Sequence, residues 1–182
     1  MDDLLPLRRV SDEVLARLER VQPEHAGLPT PCDEWDVSAL LAHMAGGNRM
    51  AVALLGGCDK KEATQLVLNG DPTDVADSLA AQLEAFADPA TFDLTVHHPS
   101  MDMPGRLLFS FRVSDLLTHT WDLARAIGAD ERLDPESVDW VWEDTQPVAA
   151  FLPATGMYGA GPSGGFDGDP QARLLDLFGR TP

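Results

Sequence analysis

The chain has 182 residues, of which 44% are hydrophobic and 24% are charged, a composition that is sufficient for one ordinary globular domain with a full core. Thirty acidic residues against thirteen basic ones give a formal net charge of −17, which repels nucleic acid and anionic membranes, so we expect neither as a partner. No apolar run approaches the roughly 20 residues of a membrane span, and the N-terminus lacks the pattern of a signal peptide, so we expect a single cytoplasmic domain over residues 1–182.

The first half of the chain predicts three helices. Apolar residues recur at spacings of three and four over 7–21, which is typical of an amphipathic helix. After a proline-rich loop, Asp36 is a candidate N-cap for a second helix over Val37–Leu55. A third helix is expected over Thr73–Asp88 with its first residue as the N-cap, and the polar segment 58–72 before it is expected to be a surface loop.

The second half of the chain predicts one short extended segment and three more helices. Residues 91–97 alternate apolar and polar without a partner strand, so we expect a connection and not a sheet. The apolar stretch 106–128 predicts a fourth helix that is apolar on nearly all sides and therefore belongs in the core. A fifth helix is expected over 134–152, ended early or kinked by a proline, and a short helix over 169–179 follows a glycine-rich loop at 156–169 that could act as a lid.

The fourth helix carries a row of ionisable residues on one face. Arg112, Asp115, His119 and Asp122 are three, four and three residues apart, which is the spacing of neighbours on a helix surface. An unpaired carboxylate or imidazole in a core is costly. One solution is a divalent metal bound by Asp115 and His119, and the other is an Arg112 to Asp115 ion pair with the imidazole hydrogen-bonded to a neighbouring helix.

A further histidine, His43, lies in the middle of the apolar second helix. It could be a core residue, or it could be a third ligand beside Asp115 and His119. Two histidine nitrogens, one carboxylate oxygen and a water form the ligand set of a catalytic zinc site. Zinc is the first candidate, but nickel and iron(II) also accept these ligands, so the spacing does not identify the metal. The adjacent residues His97 and His98 are not expected to be ligands, because neighbouring side chains on an extended chain point apart.

Four residues are candidates for supporting or pocket roles. Asp122, one turn beyond His119, could orient that histidine or stabilise the fold. Arg112 could contact an anionic substrate or neutralise the carboxylate beside it. Trp35 and Trp121 are more typical of packing residues than of pocket walls.

The remaining polar candidates predict little chemistry. Cys32 and Cys58 form no paired motif, so we expect reduced thiols, although Cys32 lies just ahead of a helix and could be somewhat activated. Asn48 follows His43 by five residues, about 140° around the helix, and is expected to lie outside the ligand set.

Three motifs in the chain resemble a known family. They are a Pro-Cys-x-x-Trp sequence before a histidine-bearing helix, a His-x-Trp-Asp-Leu-Ala signature, and an arginine-leucine-leucine helix near the C-terminus, found in TPCDEWDVSALLAHMAGGNRM (30–50), DLLTHTWDLARAIG (115–128) and DPQARLLDLFGRTP (169–182). The sequence resembles the metal-binding proteins related to the N-terminal domain of mycothiol-dependent maleylpyruvate isomerase, within the DinB-like superfamily.

The resemblance implies a fold and a ligand set. The implied fold is all-α, a DinB-like four-helix bundle, here with additional short C-terminal helices and a glycine-rich loop. In the isomerase a histidine from an early helix and a Glu-x-x-x-His pair from a later helix hold the metal, and these positions match His43, Asp115 and His119. The chain departs from that pattern at Asp115, which is one carbon shorter than glutamate.

The resemblance also implies a function. It suggests a thiol-dependent transferase or isomerase, with mycothiol as the thiol, that acts on a small electrophile. The isomerase has a further C-terminal domain, for which 182 residues leave no room. The alternatives are a non-catalytic metal-binding or stress-response module with an unknown partner, and a bundle without metal whose polar row is structural. An exposed apolar patch on the bundle could support a homodimer.

Overall fold

The computed structural model describes residues 3–33, 35–147, 149, 163, 165–166 and 168–182, so most of the predicted glycine-rich loop lies outside the described residues. Within them the chain is mostly helical, which confirms the all-α prediction. The helices are α1 (Leu5–Leu18), α2 (Val37–Leu55), α3 (Lys60–Leu68), α4 (Val75–Ala85), α5 (Gly105–Ala126), α6 (Pro135–Thr145) and α7 (Pro170–Leu177). Strands β1 (Thr95–His97) and β2 (Asp102–Pro104) form an antiparallel pair.

Four of the helices form the bundle. Helix α2 packs against α4 and α5, and α1 packs against α5 and α4. The shorter helices lie outside this group, with α3 on α2, and α6 on α5, α1 and α7. The core between them contains fully buried side chains from all four bundle helices, including Leu7, Leu40, Met44, Leu79, Leu116 and Trp121. In the described part of the chain, no helix combines the length and the apolar character that a membrane span requires.

Aspartate caps fix the start of several helices. Asp36 accepts a hydrogen bond from the backbone N–H of Ala39, and α2 covers the predicted residues. Asp134 and Asp169 cap α6 and α7 in the same way, each followed by a proline at the first helical position. Gly128, with a φ of +67°, follows the end of α5. The sequence therefore predicts these boundaries to within a few residues, and α6 ends at Thr145, two residues before Pro147, the proline expected to kink this helix or end it early.

The prediction of a surface loop over 58–72 is wrong, because this segment contains α3. Ala63 is the helix's buried residue, so the periodic apolar pattern that reveals a packed helix is nearly absent. Glycine allows the close approach to α2, since a Cβ atom on Gly46 would lie 2.7 Å from the carbonyl oxygen of Leu66. The expected N-cap at Thr73 is also wrong, because α4 begins at Val75 with Asp74 before it.

The prediction that residues 91–97 form an unpaired connection is wrong as well. The partner strand β2 lies in the turn-rich sequence that follows, and Val96 pairs with Met103 in the register. Both of these side chains are buried, while their neighbours along each strand are exposed. The hairpin thus covers one edge of the helical core, and its alternation is that of a half-buried strand pair.

Candidate metal centre

The site lies where α2 packs against α5. His43 comes from the middle of α2, and Asp115 and His119 come from successive turns of α5. The Nε2 atom of His43 lies 3.2 Å from Oδ1 of Asp115, and Nε2 of His119 lies 3.4 Å from the same oxygen. The structure therefore brings together the three residues that the sequence suggests as ligands.

The spacing of these atoms suits a small divalent ion. Two ligands placed about 2.1 Å from a tetrahedral zinc ion are separated by about 3.4 Å, and the two nitrogen-to-oxygen distances here are 3.2 and 3.4 Å. One side of the trio is open, since the side chains of His43 and Asp115 are 23% and 25% exposed. The three residues fit a metal with room for a further ligand, which is the arrangement of a catalytic rather than a purely structural zinc site.

Charge holds the trio together without a metal. Burial alone would raise the pKa of Asp115, but the positive charges of Arg112, His119 and His43 hold it well below its ordinary value. Burial alone would lower the pKa of His119. The charge and hydrogen bond of Asp115, together with a hydrogen bond to Asp122, instead raise this pKa well above its ordinary value. A metal that binds here must therefore displace a proton from the imidazole.

The second nitrogen of His119 contacts Asp122. Its Nδ1 lies 2.9 Å from Oδ2 of Asp122, and this carboxylate is fully buried. The bond favours a proton on Nδ1 and leaves Nε2 directed at Asp115, as a ligating imidazole requires. Burial alone would raise the pKa of Asp122, but hydrogen bonds from His119 and Arg180 lower it to about 2. This is the geometry expected of a residue that orients a ligand.

Arg180 and Cys32 also contact this carboxylate, and the sequence does not predict either contact. Arg180 binds both oxygens of Asp122, with Nε at 3.1 Å and Nη2 at 2.8 Å. The Cys32 thiol donates to Oδ2 of Asp122 at 3.2 Å, and its sulfur lies 3.9 Å from Nδ1 of His119. Both residues fall within motifs that carry the family resemblance, but no spacing rule relates residues 32, 122 and 180.

Among the described residues, two groups of side chains are close enough to share an ion. One is the trio of His43, Asp115 and His119, and the other is Cys32, His119 and Asp122. The second group also contacts the guanidinium of Arg180, which lies 3.3 Å from the cysteine sulfur. A fixed positive charge at that distance opposes a cation, so the trio is the better metal site.

The surroundings of Arg112 distinguish between its two predicted roles, contact with an anionic substrate and neutralisation of Asp115. The residue is 4% exposed, and its Nη1 donates to Oδ2 of Asp115 at 2.9 Å. Burial of this kind favours neutralisation of Asp115 over contact with an anionic substrate. Asn48 contacts Arg112, because its side-chain oxygen accepts a hydrogen bond from Nη2 of that residue.

The two tryptophans differ in role. The Trp35 ring lies 4.6 Å from the ring of His43 and 5.8 Å from that of His119, so it forms a wall beside the imidazoles. Trp121 is 1% exposed and belongs to the core, as a packing residue does.

The hairpin histidines have local partners. His97 pairs with Asp102 on the neighbouring strand, with 3.2 Å between Nδ1 and Oδ1. The Nδ1 atom of His98 lies 2.7 Å from the hydroxyl oxygen of Ser100. Neither histidine belongs to a group of potential metal ligands within the described residues.

Comparison with known proteins places the trio inside a recognised family domain. The family model described as "Mycothiol maleylpyruvate isomerase N-terminal domain" matches residues 7–124, which include His43, Asp115, His119 and Asp122 but not Arg180. The uncharacterized proteins Rv0738 and MT0763, from two strains of Mycobacterium tuberculosis, are each 35% identical over 191 aligned residues. Each alignment covers all of this chain and 99% of the relative. No solved structure gives a significant match.

Proposed function

The chain belongs to the family of the mycothiol maleylpyruvate isomerase N-terminal domain, and on that basis we propose that it binds a divalent metal ion through His43, Asp115 and His119. The observation that carries the proposal is the approach of two imidazole nitrogens to a single carboxylate oxygen, at 3.2 and 3.4 Å. Zinc is the metal we propose, and nickel and iron(II) are the alternatives that the same ligands accept.

We propose further that the metal-loaded protein is a transferase or isomerase that uses a small thiol, with mycothiol as the first candidate, to act on a small electrophile. When bound, a divalent ion supplies Lewis acidity, which lowers the pKa of a thiol and polarises a carbonyl group. The chain's own residues bind and orient. His43 and Asp115 border the open side, Trp35 forms one wall, and Asp122 holds the Nδ1 proton of His119. Support for the thiol comes from the family, whose description names mycothiol.

A second candidate function is a metal-binding or stress-response module without turnover. One observation favours it. In the described part of the chain, the charged side chains around the trio are hydrogen-bonded to protein groups, namely Arg112 to Asp115 and Arg180 to Asp122. An arginine does not act as a general base, and both oxygens of the nearby carboxylate Asp122 are hydrogen-bonded, so catalysis would depend on the metal and its ligands.

Metal content tests the proposed site. Elemental analysis of the untagged protein should find one zinc, nickel or iron ion per chain, and the His119→Ala variant should lose it. His97→Ala is the matched control, because it removes an exposed hairpin histidine that lies outside the trio. Native protein without stoichiometric metal, or a His119→Ala variant that keeps its metal, would contradict the proposed metal site.

Thiol dependence separates the two functions. Titration calorimetry of metal-loaded protein with mycothiol, and with cysteine as a simpler thiol, should show binding that is lost in the metal-free protein. Consumption of a small electrophile in the presence of the thiol would support the enzyme. Metal binding without thiol binding and without consumption of the electrophile would favour the non-catalytic module.

We also propose that residues 1–182 act as one domain with small-molecule partners. Helix α6, which follows the matched residues, packs against both α5 and α1, and α7 packs against α6. Arg180, after α7, reaches the carboxylate that contacts His119. Sedimentation equilibrium would test whether the domain is a monomer or the homodimer considered above.

A further inference from the structure

Arg112 is a buried cation with three side-chain oxygen partners on three different helices. Its Nη1 donates to Oδ2 of Asp115 at 2.9 Å, its Nη2 to Oδ1 of Asn48 at 2.9 Å, and its Nε to Oε1 of Gln82 at 3.1 Å. Asn48 is itself fixed, because its amide nitrogen donates to the hydroxyl of Ser78. The guanidinium is therefore held in one place by α2 and α4, and its remaining edge faces the carboxylate of α5.

The backbone of α2 makes room for this guanidinium. Gly47 lies one turn after His43, and a Cβ atom added to it would lie 2.5 Å from Nη1 of Arg112. Any larger residue would push the guanidinium away from Asp115. The adjacent glycine, Gly46, faces a different neighbour, since its Cβ atom would meet the backbone of α3.

The orientation of the Gln82 side-chain amide favours its hydrogen bond with Arg112 over any bond from its own nitrogen. Its oxygen accepts from Arg112, while its amide nitrogen is buried and has no hydrogen-bond partner within the described residues. Leaving a buried donor unpaired costs free energy, and rotating the amide would instead turn an N–H group towards the guanidinium. The contact with Arg112 thus fixes the orientation of Gln82.

We propose that Arg112 is a positioning residue that restricts Asp115 to a single metal-ligating oxygen. Nη1 of Arg112 is hydrogen-bonded to Oδ2 of Asp115, which leaves Oδ1 available to the ion. Oδ1 is also the oxygen that both imidazoles approach. A one-oxygen carboxylate keeps a coordination position open for a thiol or another substrate, whereas a two-oxygen carboxylate would fill it. This inference rests on the proposed function and specifies the coordination of the same site.

Replacement of zinc by Co²⁺ tests the inference, because four-coordinate Co²⁺ absorbs visible light much more strongly than Co²⁺ with five or six ligands. Arg112→Lys keeps the charge but lacks the planar fork that reaches Asn48, Gln82 and Asp115 at the same time, so Oδ2 is no longer held in place. We expect weaker visible absorption per bound Co²⁺ and a loss of about 10-fold to 100-fold in zinc affinity, measured by competition with a chromophoric chelator.

A matched pair of glycine variants keeps the test independent of the arginine's contribution to folding. Gly47→Ala displaces the guanidinium and should change the Co²⁺ spectrum in the same direction as Arg112→Lys. Gly46→Ala disturbs the packing of α3 and should lower the melting temperature while its Co²⁺ spectrum matches that of the wild type. Circular dichroism of each variant establishes that it is folded.

The outcomes are distinct. Wild-type spectra in both Arg112→Lys and Gly47→Ala, with Co²⁺ bound, overturn the inference and leave the proposed function intact. A changed spectrum in Gly46→Ala of the same size as in Gly47→Ala also overturns it, because the effect would then follow helix packing. Wild-type protein that binds no Co²⁺ defeats the proposed function, and the inference with it.

Discussion

Asp115 and Asp122 are two carboxylates on α5, and they contact opposite nitrogens of the His119 imidazole. Asp115 lies 3.4 Å from Nε2 of His119, and Asp122 lies 2.9 Å from Nδ1. Each carboxylate is also paired with an arginine, Asp115 with Arg112 and Asp122 with Arg180. They differ in access, because the side chain of Asp115 is 25% exposed and that of Asp122 is fully buried.

The difference shows that neighbours, not position on a helix, give each carboxylate its role. Asp122 has both oxygens bound, one by Arg180 alone and the other by Arg180, His119 and Cys32. Asp115 has one oxygen bound by its arginine and the other on the open side beside two imidazoles. The open carboxylate is suited to bind a metal, and the closed one is suited to fix the histidine that we propose as its fellow ligand.

The largest expected effect belongs to the open carboxylate. Asp115→Asn keeps the shape of the side chain and removes its charge, so we expect loss of stoichiometric metal in elemental analysis. Asp130→Asn is the control, because Asp130 is an exposed carboxylate paired with Arg132 away from the trio. A full complement of metal in Asp115→Asn would remove the distinction between the two carboxylates.

A smaller effect is expected at the closed carboxylate. Asp122→Asn weakens the bond that orients His119, and we expect a loss of about 10-fold to 100-fold in metal affinity, with binding retained. Chelator competition measures the change. Affinity equal to that of the wild type would mean that Asp122 only stabilises the fold.

The same variant makes a prediction about acid stability in the metal-free protein. Because the pKa of Asp122 is lower in the folded protein than the ordinary 3.8, its carboxylate stabilises the fold at neutral pH, and this contribution is lost as the pH falls through about 2. Asp122→Asn should lower the free energy of unfolding by at least about 2 kcal/mol. Urea titrations should show the same deficit at neutral pH and about pH 5, and a smaller one at about pH 3.

The third effect lies one contact further from the metal. Arg180→Ala removes the bidentate partner of Asp122, and we expect a loss of up to about 10-fold in metal affinity. Arg125→Ala is the matched control, since Arg125 also links α5 to the C-terminal segment, through the carbonyl of Thr181, but makes no contact with Asp122. Equal losses in both variants would show that the effect comes from anchoring the segment.

The smallest effect is expected at Cys32. In Cys32→Ser the hydroxyl can donate to Asp122 as the thiol does, so metal affinity should stay within about threefold of the wild type. Loss of the metal in this variant would show instead that the sulfur is a ligand, and the comparison between the two carboxylates would have to be redrawn.

The sequence predicts the elements whose evidence is local. Helical spacing places Arg112, Asp115, His119 and Asp122 on one face of α5 because the period of a helix is fixed, and Asp36 marks the start of α2 because capping involves adjacent residues. Helix α3 and strand β2 escape prediction for a physical reason. Helix α3 buries too few apolar residues to show a helical hydrophobic period. Strand β2 is recognised as a strand by its pairing with β1, which its own sequence does not show.

The supporting contacts within α5 follow from helical spacing, but those that join distant parts of the chain could not be predicted. Arg180 is 58 residues from Asp122 and 148 residues from Cys32, and Gln82 is 30 residues from Arg112. Each of these residues taken alone is an ordinary polar residue. Only folding shows that Gly47 leaves room for a guanidinium, or that Asn48 supports the site from a face that does not contact the ligands.

Trp35 gives the site an optical reporter of its own. Its indole lies against both imidazoles, 4.6 and 5.8 Å away, and protonated imidazole quenches indole fluorescence on contact. An ion that displaces the proton of His119 would relieve this quenching, while the other three tryptophans, Trp121, Trp140 and Trp142, supply a background, since among the described rings Trp35 is the tryptophan that contacts these imidazoles. Occupancy of the centre can therefore be followed in dilute solution by the intrinsic emission of the protein, without a chromophoric metal or an added dye.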